Sequence, residues 1–390
     1  MAPSSSIFRA PQEIHFGPGV VGTVGEVARR FAKRAPVVTG AHSSKASGAL
    51  EAVRHSLAAA GVEVVVFDGV AHEPTLAFVE EVRSLARSEG CQALIGLGGG
   101  SPVDVAKCSA GLFYSAEAVS AHFDGRVEMP DQALPWIAVP TTAGAGAEAT
   151  PNAVVTDERT NVKKSLRSWE WLAKAAIVDP ELTVACPERV TAYSGMDAFT
   201  QAVESYTSRN ATPLTEGISF EAALQVAKGL PLAYDDGSDL EAKTAVAWGA
   251  TMAGVALANA RLGAVHGFAH AVGTACNLPH GLVCAILLPW VIEYNLDVAA
   301  EKYARLARGL GVAEAADPAD VAAEAFLGHV RALNAKFEIP ATLGEVGLER
   351  EMIDAIVAQT LPSGSLAANP KSVPKEDLEA ILLAQRTERG

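Results

Sequence analysis

Cysteine is scarce and poorly placed for cross-linking. The 390-residue chain has five, at positions 91, 108, 186, 276 and 284, and no CxxC pair. That excludes a disulfide framework and fits a reducing compartment. Positive charge is also short. Lys and Arg number 31 against 45 Asp and Glu, a formal net charge of −14, which argues against nucleic acid or an anionic membrane as the main partner. Local basic pockets for an anionic cofactor stay open. Long apolar runs are missing: "AILLPWVIEY" is too short to span a bilayer, and "MAPSSSIFRAPQEI" lacks the apolar centre of a signal peptide. There is no internal repeat and no low-complexity segment. A soluble, cytoplasmic protein is expected.

What is present is a globular composition, 49% hydrophobic, in a chain long enough for two domains. Short Val-rich runs ended by Gly or hydroxyl residues, "APVVTG" (35–40), "VEVVVFDG" (62–69), "ALIGLGGG" (93–100) and "WIAVPTT" (136–142), read as strands. Helical stretches at roughly 47–60, 75–89 and 102–112 lie between them. This alternation predicts an α/β domain with a doubly wound parallel sheet. After about residue 185 the character changes to Ala-rich helical periodicity, as in "EAALQVAKGLPLAY" and "EAKTAVAWGATMAGVALANA". Two domains follow, 1–185 α/β and 186–390 all-helical, with "DPELTVACP" (179–187) as the junction. A cleft between them is the default place for a site.

"GLGGGSPVDVAK" (96–107) follows a strand. Gly98, Gly99 and Gly100 let backbone approach a ligand closely. Ser101 suits an N-cap, Pro102 the first helical turn, and Asp104 the positive helix end. Strand, glycine turn and helix start are how a pyrophosphate is held, although the spacing is neither GxGxxG nor the P-loop pattern. A tight turn without a ligand is the plainer reading. "PTTAGAGAEAT" (140–150) adds Thr141 and Thr142, able to hydrogen-bond a nucleotide or simply to form a surface turn.

"GMDAFTQAVESY" (195–206) reads as a helix with Asp197 and Gln201 on one face, four apart. In "HGFAHAVGTACNLPH", His266 and His270 share a face, and His280 stands at a turn or helix start. Together with Asp197 these make either a divalent metal site suited to zinc or ferrous iron or a set of satisfied core polar residues.

Taken in order, "EIHFGPG", "GGGSPVDVAK", "PTTAGAGAEAT", "DERTNVKKS", "GMDAFTQAVESY", "GAVHGFAHAVG", "PHG" and "ANPKSVPKEDLEAIL" resemble the iron-containing (group III) alcohol dehydrogenase family over nearly the whole chain. The resemblance implies a Rossmann-like nucleotide domain plus a helical domain, the dehydroquinate synthase-like plan. It implies NAD(P)-dependent interconversion of an alcohol with an aldehyde or ketone, and a divalent metal. The family's metal ligands fall on Asp197, Gln201, His266 and His280. His270 matches a histidine near the nicotinamide and substrate and, with Asp197, makes the catalytic pair. The pyrophosphate loop falls on Gly98, Gly99, Gly100, Ser101 and Asp104, flanked by Thr141 and Thr142. Lys163, from "DERTNVKKS", joins the cofactor set. The family suggests a homodimer or higher oligomer.

Three departures from the family pattern matter. Gln201 stands where a ligand His is expected; a neutral amide is the weaker ligand, so the site is either retained with three good ligands or has lost its metal. Gly40 stands where NAD-preferring members have an acidic residue, and Ser43, Ser44 and Lys45 follow. This gives a slight preference for NADP(H) over NAD(H). Ala145 and Ala147 replace hydroxyl residues near the phosphates. Two alternatives stay open. One is a maleylacetate-type reductase of an anionic ketone, working without metal. The other is a sugar-phosphate cyclase-like lyase, for which Lys163, Lys164, Arg167 and Arg261 are candidate phosphate binders in the helical domain. A nucleotide-binding protein without activity is supported only by Gln201.

Overall fold

The computed structural model describes residues 6–386, leaving out His72 and Asn161. Two compact units emerge, Arg9–Cys186 and Pro187–Gly390 with Met1–Phe8.

In the first unit, β1 (Ile14–Phe16), β2 (Arg34–Gly40), β3 (Glu63–Val70), β4 (Leu94–Gly98), β5 (Trp136–Pro140) and β8 (Ala175–Val178) form one sheet in the order β1-β8-β5-β4-β2-β3. Every pairing in it is parallel. Between the strands run α1 (Val24–Arg29), α2 (Ser43–Ala46), α3 (Ala49–Ala59), α4 (Leu76–Ser88), α5 (Gly100–Gly111) and α6 (Val119–Phe123). The inner strands β2, β4, β5 and β8 are buried on both faces because alternate residues serve different cores, while the edge strands β1 and β3 are only partly covered. Val37, Ile95 and Ile137 pack with Val53 and Leu57 of α3. Val38, Leu94 and Ala138 pack with Val79 and Val82 of α4 and with α5. That arrangement is the doubly wound sheet read from the sequence. A separate antiparallel hairpin joins β6 (Asn152–Asp157) to β7 (Val162–Arg167).

The second unit contains α7 (Glu188–Thr207), α8 (Pro213–Asp235), α9 (Leu240–Ala260), α10 (Ala264–Cys276), α11 (His280–Leu310), α12 (Ala319–Lys336), α13 (Ile353–Thr360) and α14 (Lys375–Ala384), and no strand among the described residues. Helix starts follow local chemistry. The Thr212 hydroxyl caps α8 ahead of Pro213, and the Asp239 carboxylate accepts from Ala242 N at the start of α9.

One expectation needs correction. The apolar run "AILLPWVIEY" belongs to α11, 31 residues long and, among the described residues, the one helix long and apolar enough to cross a membrane by length and composition. Its Leu282–Leu288 stretch is at most 6% exposed, and it packs on α12 and α7. It is the core helix of this unit, and its first two turns carry site residues.

Candidate active site

Helix α7 presents Asp197, Gln201 and Glu204 at i, i+4 and i+7, one face of the helix, and all three are buried. Helix α10 brings His266 and His270. Helix α11 opens with His280 and carries Cys284 one turn later. Its first turn lies so close to α7 that a Cβ on Gly281 would sit 2.1 Å from the Tyr193 carbonyl oxygen. Only glycine permits that approach.

The side chains converge. His266 Nε2 lies 3.2 Å and His280 Nε2 3.7 Å from Asp197 Oδ1. Cys284 Sγ lies 3.8 Å from His266 Nε2 and 3.6 Å from His280 Nε2. One ligand atom from each of Asp197, His266, His280 and Cys284 lies within 4.8 Å of the others. Behind this group, His266 Nδ1 is 2.6 Å from Glu204 Oε2. A carboxylate only accepts, so Nδ1 carries the hydrogen and Nε2 is the atom offered to the cluster. Glu204 also accepts from Val265 N at 2.7 Å, and Asn369 Oδ1 accepts from Ala264 N at 3.2 Å. Helix α10 has no capping side chain of its own at Gly263; these two residues fill its positive end instead. His270, half-buried, stacks on His280 with ring centroids 5.1 Å apart and planes 20° apart.

Electrostatics follow the geometry. Burial pushes the Asp197 carboxyl up, but His280, His266 and Gln201 outweigh it and hold it below the usual range. Burial disfavours charge on His266, yet Cys284, Asp197 and Glu204 hold its pKa well above the ordinary histidine value. His280 is raised too, against its burial, by Cys284 and Asp197.

In the first unit Thr39 pairs with Leu97, so β2 and β4 end side by side at Gly40 and Gly98. From β2 the chain passes to β3 on one side; from β4 it passes to β5 on the other. This reversal is the switch point where open α/β sheets bind ligands. Gly98 has φ +141°, a conformation reserved for glycine. Thr141 N donates to Gly98 O at 2.9 Å, and a Cβ on Gly99 would lie 3.5 Å from Thr142. Gly98, Gly99, Gly100, Thr141 and Thr142 thus form one cradle beside Gly40 and Ser43.

Several expected residues sit differently. Gly99, not Ser101, occupies the N-cap of α5, and it offers no side-chain bond; Ser101 lies inside the first turn. The Asp104 carboxylate faces inward: Oδ2 accepts from Val154 N at 2.9 Å, and Oδ1 lies 3.1 Å from Lys107 Nζ. Lys45 pairs with Asp68 of β3, both side chains about half exposed. Lys163 pairs with Glu73. Lys163, Lys164 and Arg167 are on β7 of the first unit, not in the helical unit where a phosphate-binding role was sought; Arg261 is the one of the four in the helical unit.

A family model for iron-containing alcohol dehydrogenase matches residues 11–180, and the C-terminal model of the same family matches residues 191–385. The chain belongs to the iron-containing alcohol dehydrogenase family. Among curated relatives, the NAD-dependent methanol dehydrogenase of Bacillus methanolicus is 34% identical over 96% of this chain and 98% of that protein. The NADPH-dependent butanol dehydrogenase of Clostridium saccharobutylicum is 30% identical over 96% of both. The solved alcohol dehydrogenase from Oenococcus oeni superposes with a TM-score of 0.93 at 33% identity, covering 98% of this chain and 100% of that one. The protein is therefore an NAD(P)-dependent oxidoreductase interconverting an alcohol and an aldehyde or ketone.

For an iron-containing alcohol dehydrogenase the donor set is the central question, because residue 201 is Gln. The Gln201 amide hydrogen-bonds Asp197, while its buried Oε1 meets no hydrogen-bond partner among the described residues. A buried acceptor left without a donor, beside one carboxylate and two imidazoles, fits a divalent cation. Reading the sequence missed Glu204 and Cys284. Both carried a signal: Glu204 continues the Asp197 face at i+7, and Cys284 repeats the His280 face at i+4.

Proposed function

We propose that this enzyme reduces an aldehyde or ketone by metal-assisted hydride transfer from NADPH. The carrying observation is the convergence of Asp197, His266 and His280, with Glu204 fixing His266 from behind. These three residues would hold zinc or ferrous iron, with Gln201 as a weak neighbour. When bound, the metal polarises the carbonyl and the reduced nicotinamide supplies hydride.

The remaining roles belong to the chain. Gly98, Gly99, Gly100 and the start of α5 bind pyrophosphate through backbone N–H groups. Thr141 and Thr142 line that cradle. Gly40 leaves room for a 2′-phosphate, and Ser43 and Lys45 bind it, with Lys45 exchanging Asp68 for the phosphate. Asp197 stays ionised and His266 stays oriented. His270, stacked on His280, delivers the proton that the alkoxide oxygen takes up as the alcohol forms. The five scattered cysteines, odd in number and without a CxxC pair, support a reducing, cytoplasmic setting.

The test is NADPH oxidation with a panel of simple aldehydes, alongside metal content per chain. Near one equivalent of metal is expected, with Asp197→Ala and His270→Ala each lowering kcat/KM by about 10²-fold or more. Unchanged turnover in both variants with the best substrate would overturn the assignment.

A further inference from the structure

We propose that the Cys284 thiolate is the fourth protein ligand of the metal, and that it selects zinc over ferrous iron. The inference deepens the metal-centred reading above and rests on it.

Zinc–sulfur bonds near 2.3 Å and zinc–nitrogen bonds near 2.0–2.1 Å, at tetrahedral angles, place sulfur about 3.6 Å from nitrogen. Cys284 Sγ lies 3.6 Å from His280 Nε2 and 3.8 Å from His266 Nε2. By the same bond lengths nitrogen and carboxylate oxygen fall about 3.4 Å apart; the two histidine contacts to Asp197 Oδ1, at 3.2 and 3.7 Å, bracket that value. Four of the six distances among these atoms therefore match the edges of one small tetrahedron, and all four atoms lie within 4.8 Å of one another.

The surroundings point the same way. A buried cysteine used for packing sits among apolar groups. Cys284 is fully buried, yet its sulfur lies between two imidazole nitrogens. On α7, the amide oxygen of Gln201 is buried without a hydrogen-bond partner among the described residues. Gln201 offers only a neutral, weakly ligating oxygen. Cys284 offers an anionic, strongly ligating sulfur, so the set Asp197, His266, His280 and Cys284 has two anionic and two imidazole donors. A thiolate favours zinc over harder cations, and the general order of divalent affinities already places zinc above ferrous iron. Binding releases the thiol proton to solvent.

The experiment is to strip the full-length protein with chelator and load it with cobalt(II) or zinc alone. The cobalt form should show a thiolate-to-cobalt charge-transfer band in the near ultraviolet. That band should vanish in Cys284→Ser, which should bind zinc about a hundredfold more weakly in chelator competition, a loss at or beyond that for removing a supporting neighbour. A cobalt form without the band, together with Cys284→Ser binding zinc as tightly as wild type, overturns the inference and leaves the metal-centred enzyme standing. Wild-type protein that binds neither ion overturns both. The wild-type cobalt spectrum decides the matter even where the serine variant does not fold.

Discussion

Glu204 Oε2 and His266 Nδ1 are 2.6 Å apart and both buried, and this contact joins the start of one helix to the face of another. It fixes the imidazole so that Nε2 points toward Asp197, and it places a carboxylate at the positive end of α10. Carboxylates behind metal-bound histidines orient the ring and raise its basicity. Glu204→Gln keeps an oxygen able to accept from Val265 N but removes the charge behind the ring. We expect it to fold and to bind zinc about 10–100-fold more weakly. Chelator competition on the stripped protein measures this; unchanged affinity would mean that Glu204 serves only the helix.

Four of the six strands of the parallel sheet, β2, β3, β4 and β5, were legible in the sequence as short apolar runs closed by glycine or hydroxyl residues, whereas β1 (IHF) and β8 (AAIV) are too short and too plain to stand out. Asp197, His266 and His280 were legible as well, through helical spacing and the order of the motifs. Glu204 and Cys284 were not, although each lies on a face already identified. Spacing says which residues share a face but not how far along that face a neighbouring helix lies, and the approach of α11 to α7 is set by Gly281 meeting Tyr193. Asp104 shows the same limit in reverse. Its place in the first turns of α5 suggested a role toward an anionic ligand, whereas the helix turns its carboxylate inward to Val154.

That inward turn makes Lys107 a stability residue. Its ammonium is fully buried and bonds Asp104 Oδ1 at 3.1 Å, Thr150 Oγ1 at 3.1 Å and the Asn152 carbonyl at 2.5 Å, tying α5 to β6. Burial pushes the Asp104 carboxyl up and the Lys107 ammonium down, and each partner offsets the effect on the other. Lys107→Met leaves Asp104 buried without its counter-charge. Breaking such a pair costs about 3–5 kcal/mol, to be read from denaturant unfolding. Adding Asp104→Asn should recover part of that loss, because the two residues are coupled; strict additivity would show that they act independently.

Gly40 tests the cofactor assignment. A Cβ there would meet Val70 O at 3.5 Å, Ser43 Oγ at 3.7 Å and Pro102 Cγ at 4.0 Å, all ordinary contacts. The position therefore accepts a side chain, and its glycine is not forced by sterics. Gly40→Asp would set a carboxylate against the 2′-phosphate, and facing like charges cost up to several kcal/mol. We expect kcat/KM for NADPH to fall about tenfold or more, with NADH affected far less. An unchanged ratio between the two cofactors would place the 2′ position away from Gly40.

The histidines predict how pH divides the metal-free and zinc-loaded proteins. Without metal, His266 is held well above the ordinary value of 6.5, and His280 is raised as well. A group whose pKa is raised on folding contributes stability that is complete below its unfolded value and is lost as pH rises through the folded one. The metal-free protein should therefore lose this contribution as pH climbs above about 6.5. Zinc needs the Nε2 atoms free of protons, so its binding strengthens over the same interval. Asp197 shifts the other way; its contribution is present above the ordinary carboxylate value of 3.8 and is lost only in stronger acid, outside this window. The gap in Tm between zinc-loaded and stripped protein should then widen steadily from about pH 6 to 8, as followed by calorimetry. A gap that stays flat in the wild type would show that these imidazoles do not exchange protons for the metal.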